Sequence, residues 1–63
     1  MDKGYNIKLM RMRMGLTQEE LGEKVGVTGS MIKQIERGTK SMTVELANDM
    51  AKALGCDIRD FVK

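Results

Sequence analysis

The stretch Thr17–Gly38, "TQEELGEKVGVTGSMIKQIERG", decides how this chain folds. Thr17 followed three residues later by Glu20 forms a capping box, in which the threonine caps a helix start while the glutamate reaches back to the threonine N–H. The pattern predicts a helix from Gln18 to about Val25, with Leu21 and Val25 turned inward. Thr28 can cap the next helix, which ends near Arg37. Gly26 stands where the chain needs a left-handed residue, and Val27 plugs the corner. With about three residues between two capped helices, the pair should meet at a steep angle.

Further helical patterns lie on either side. The first helix starts between Lys3 and Asn6 and runs to Met14, with Ile7, Met10 and Met14 sharing a face. Thr43 can cap a fourth helix through Leu54, whose apolar stripe is Val44, Leu46, Ala47, Met50, Ala51 and Leu54. Asp57 can cap a last short turn, "IRDFV", whose Ile58, Phe61 and Val62 close the core. Gly15, Gly38 and Gly55 follow apolar patterns as Gly26 does, where helix C-caps are expected. No segment alternates like a strand. Without proline, repeat or low-complexity segment there is no visible linker. The expected fold is all-α: a compact bundle of about five short helices, one domain over residues 1–63.

Composition narrows the function. Sixty-three residues, 41% hydrophobic and 32% charged, suit a small soluble helical globule. Cys56 is the only cysteine, so no intrachain disulfide forms, and a reducing cytoplasm is the expected location. Cys56 reads as a small buried hydrophobe, with a redox sensor as the alternative. No apolar run is long enough to span a membrane, and "MDKGYN" lacks a secretory signal's profile. Histidine is absent, no cysteine–histidine cluster can hold zinc, and no cofactor is called for. Seven methionines and two aromatics predict a soft, adaptable core. The charge is uneven. Lys3, Lys8, Arg11, Arg13, Lys24, Lys33, Arg37 and Lys40 outweigh five acidic residues up to position 40, giving +3; the rest carries −1.

Advancing about 100° per residue around the third helix places Ile32 and Ile35 on one side. Gly29, Ser30, Lys33, Gln34 and Arg37 spread over the other, with Met31 and Glu36 at the boundaries. For an arbitrary helix a solvated face is the commoner explanation of this pattern. The tight turn before it tips the balance, because it builds a helix-turn-helix whose second helix can enter a DNA major groove.

"RMRMGLTQEELGEKVG", Arg11–Gly26, followed by "IKQIERG", resembles the lambda-repressor-like (Cro and phage-repressor, Xre-type) helix-turn-helix proteins. The resemblance runs from about Ile7 to Val62 and implies a five-helix bundle that binds a double-stranded DNA operator as a homodimer. It implies that Thr28, Gly29, Ser30, Lys33 and Gln34 contact bases. Gln18, Arg37, Thr39 and Lys40 match phosphate-contacting positions, and Gln18 also matches a glutamine that braces the recognition helix. Arg11 and Glu36 match a pair that ties the first helix to the end of the third. The residue chemistry is suitable: glutamine pairs with adenine, lysine donates to guanine, and serine is permissive.

Three departures stand out. Gly22 replaces the usual alanine, at about 1 kcal/mol of helix propensity, and allows closer packing. Met42 replaces a proline common before the fourth helix. Gly29 has no side chain where the family often carries a long polar reader, which shifts reading toward Ser30, Lys33 and Gln34 or weakens it altogether.

An enzyme is not expected, since there is no nucleophile–base pair, no phosphate-cradling loop and little room for a water-excluding pocket. Two functions remain. One is a sequence-specific regulator, read as a repressor on a palindromic operator, with Ile58, Phe61 and Val62 as dimer contacts. The other is a protein-interaction module, such as an antitoxin or adaptor, on the same fold.

Overall fold

The computed structural model describes residues 3–57 and 59, and among them four α-helices follow one another. They are α1 (Lys3–Arg13), α2 (Gln18–Val25), α3 (Gly29–Arg37) and α4 (Val44–Leu54). The described residues thus hold four helices rather than about five. The expected last turn, with Ile58, Phe61 and Val62, falls outside them except for Arg59, whose N–H donates to Asp57 Oδ1 at 2.9 Å.

Threonine starts three of the helices. The hydroxyls of Thr17, Thr28 and Thr43 accept from the N–H groups of Glu20, Met31 and Leu46 at 3.0, 3.1 and 3.1 Å. Each such cap contributes about 0.5–2 kcal/mol. At α2 the box is complete, because the Thr17 N–H donates to Glu20 Oε1 at 2.8 Å. That backbone bond, helped by the Thr17 hydroxyl and Lys24, holds the Glu20 carboxyl below its ordinary value.

Ile7, Leu21, Ile32 and Met50, one from each helix, are fully buried and form the centre. Ile35, Leu46, Ala51 and Leu54 surround them, and Cys56 packs half-buried at the edge. Each large aliphatic side chain removed from water contributes about 1.5–3 kcal/mol. Two residues expected in this core are outside it. Met14 is 50% exposed because it lies beyond the last residue of α1, where the chain turns through Gly15. Val44 is 74% exposed; it is the first residue of α4, and the buried stripe begins only at Leu46.

The turn between α2 and α3 is pressed onto α2. Gly26 adopts a left-handed φ of 79°, and the Val27 N–H donates to the Gly22 carbonyl at 2.9 Å. A Cβ on Gly22 would stand only 2.5 Å from the Val27 carbonyl oxygen. Helix α3 is packed against α1 and α2, while α2 also touches α4.

Candidate nucleic-acid interface

One side of α3 is sealed and the other is open. Ile32 and Ile35 are buried, whereas Ser30, Lys33, Gln34 and Arg37 are exposed; Gly29, Met31 and Glu36 are half-buried. Thr28 is spent on the cap, with its hydroxyl lone pair on Met31 N–H. Beyond the helix, the Thr39 N–H and hydroxyl both donate to the Gln34 carbonyl, at 3.0 and 3.1 Å. That hydroxyl proton is therefore committed, and Thr39 meets an outside group through its remaining lone pairs. Lys33, Arg37 and Lys40 are exposed and make no ion pair among the described residues. Their charged ends are thus open to an outside anion.

The orientation of α3 is fixed from behind. Arg11 Nε donates to Glu36 Oε2 at 2.7 Å, and Arg11 Nη2 to Glu36 Oε1 at 3.2 Å. Gln18 Nε2 donates to the same Glu36 Oε1 at 3.1 Å, and Arg11 Nη1 to the Leu16 carbonyl at 2.8 Å. One carboxylate therefore joins α1, the start of α2 and the end of α3. The Arg11 and Glu36 side chains are only 11% and 4% exposed, so this fork-shaped pairing is shielded from water. Gln18, matched to a phosphate contact, gives one of its two amide hydrogens to this hub. Its backbone N–H, in the unpaired first turn of a helix, points no bond inward.

Gly29 sits against α2. A Cβ there would meet Glu19 Cγ at 2.8 Å and Glu19 Cα at 3.2 Å. Glu19 is a neighbour that the linear pattern does not reveal, because ten residues separate the two along the chain. Ile58, Phe61 and Val62, expected at a dimer contact, lie outside the described residues. Among the described residues no group of acidic or cysteine side chains can hold a metal, and no helix is long and apolar enough to cross a membrane.

The helix-turn-helix family model matches residues 7–61. With α2 and α3 joined by three residues and α3 braced from behind, the chain belongs to the helix-turn-helix family of the lambda-repressor-like kind. It is 49% identical over 49 residues to an uncharacterized helix-turn-helix-type transcriptional regulator of Methanothermobacter thermautotrophicus, covering 78% of this chain and 71% of that one. A regulator of Sinorhizobium medicae is 31% identical over 58 residues, 92% of this chain but 42% of its own length. Among solved structures, the P22 c2 repressor in complex with a synthetic operator superposes with a TM-score of 0.92 at 28% identity, over 98% of this chain and 96% of the other. The restriction-modification controller protein C.AhdI of Aeromonas hydrophila follows at 0.87 and 28%, over 92% and 88%.

Proposed function

We propose that this chain is a single DNA-binding domain, residues 1–63, that represses transcription in the cytoplasm by occupying a palindromic double-stranded operator as a homodimer. The observation that carries this is the exposed face of α3, with Ser30, Lys33, Gln34 and Arg37 outward on a helix locked from behind by Glu36. The resemblance to an operator-bound repressor supports it.

In this reading α3 lies in the major groove. Gln34 forms a bidentate pair with adenine, Lys33 donates to guanine N7 or O6, and Ser30 makes a permissive contact. Thr28 and Gly29 approach bases at the helix start, Gly29 through its backbone alone. Arg37, Lys40 and the N–H of Gln18 hold phosphates, and Thr39 joins them by turning its hydroxyl proton from the Gln34 carbonyl to a phosphate oxygen; these contacts position the domain without reading sequence. Ile58, Phe61 and Val62 join the two protomers.

The test is binding to the DNA upstream of its own gene across a salt series, with random DNA as competitor. A specific regulator gives a complex that random DNA does not displace and whose affinity falls steeply with salt. Gln34→Ala should lose about 1–3 kcal/mol of preference at one base step. Lys40→Ala should weaken all sequences alike and lower the salt slope by about 1 per subunit. Equal losses for both variants on operator and random DNA sink this division of labour. A stable complex with another protein and no DNA affinity replaces the proposal with the interaction-module reading.

A further inference from the structure

Glu19 stands out beside the start of α3. It belongs to the first turn of α2, is exposed, and makes no hydrogen bond or ion pair among the described residues. Its neighbours are committed: Gln18 to Glu36, and Glu20 to Thr17. Its side chain passes the first residue of α3, where a Cβ on Gly29 would meet its Cγ at 2.8 Å. The space in which a side chain from position 29 would begin is thus taken by the Cγ and backbone of Glu19, one bond short of a carboxylate unpaired among the described residues.

We infer that Glu19 is a specificity-determining residue, whose carboxylate substitutes for the reader that Gly29 lacks and accepts a hydrogen bond from a cytosine amino group. The inference rests on the DNA-binding reading above. An ionised carboxylate only accepts. In the major groove the available donors are cytosine N4 and adenine N6, while guanine N7 and O6 and thymine O4 repel it. Adenine presents the acceptor N7 beside its amino group, whereas cytosine presents the amino group alone. Cytosine is therefore the base that this carboxylate selects. Glutamine at the same place carries both a donor and an acceptor, which suits adenine instead.

The experiment is selection of bound duplexes from a randomised pool by the wild-type chain, Glu19→Ala and Glu19→Gln. The wild-type sites should carry cytosine at one position. Glu19→Ala should lose about fivefold or more of discrimination there, and Glu19→Gln should turn that position to adenine, with all other positions unchanged. Identical preferences for all three proteins, with both variants merely binding every sequence more tightly, would overturn the inference and leave Glu19 a carboxylate that repels phosphates. A wild-type pool with no common site would strike the operator-binding proposal itself and take this inference with it.

Discussion

At the scale of single residues, Glu36 bears the most. It accepts from Arg11 twice and from Gln18 once while being 4% exposed. Exposed ion pairs contribute about 0–1 kcal/mol, but removing one member of a buried pair costs about 3–5 kcal/mol by stranding the other. The burial here places the pair in the second class. Arg11→Ala and Glu36→Ala should each lose that much, a large share of the roughly 3–9 kcal/mol expected for a domain of this size. Together they should lose clearly less than the sum, as urea denaturation in a double-mutant cycle would measure; zero coupling refutes it. The partners are 25 residues apart, so no local spacing pairs them, and only the family likeness pointed there. The approach of Glu19 to Gly29 had no such pointer. It depends on how closely two helices cross, which a linear pattern does not encode.

At the scale of elements, the caps were the most legible feature. Thr17, Thr28 and Thr43 start helices because a hydroxyl and an N–H three residues on satisfy each other locally. The faces were less legible at their ends. Periodicity places Val44 and Met14 on apolar stripes, yet both lie where a helix begins or has just ended and its neighbours no longer cover it. Two predictions belong here. Gly22→Ala should gain helix propensity of about 1 kcal/mol but set a Cβ 2.5 Å from the backbone oxygen of Val27. The turn must then shift, and we expect net destabilisation by about 1–3 kcal/mol, as for other overpacked sites; an unchanged or higher melting temperature contradicts this. The second concerns the capping box. Glu20 titrates below its ordinary 4.5 because Thr17 bonds its ionised form. Its contribution is therefore fully present above pH 4.5 and is lost as pH falls through the lower folded value. Glu20→Gln should consequently differ most from the wild type above pH 5 and converge with it in acid, as urea midpoints across pH would record.

At the scale of the whole molecule, the uneven charge has a readable consequence. The net charge is only +2, but Lys33, Arg37 and Lys40, on α3 and just after it, are exposed and make no ion pair among the described residues. Affinity for DNA should therefore fall with salt far more steeply than so small a net charge suggests, and the slope, about 0.9 per phosphate neutralised, counts the contacts. Sedimentation of the operator complex should find two protomers per site; one protomer at tens of micromolar, with and without operator, overturns the dimer. The methionines add something of a different kind, a chemical ruler. Met12 and Met14 are 59% and 50% exposed, Met10, Met31 and Met42 are partly covered, and Met50 is sealed. Dilute peroxide should convert their sulfurs to sulfoxides in that order, since oxidation follows access. Met50 itself should stay unoxidised until the bundle opens as a whole, as fragment masses that separate it from Met42 would show. Its sulfoxide would then time global opening without any added label.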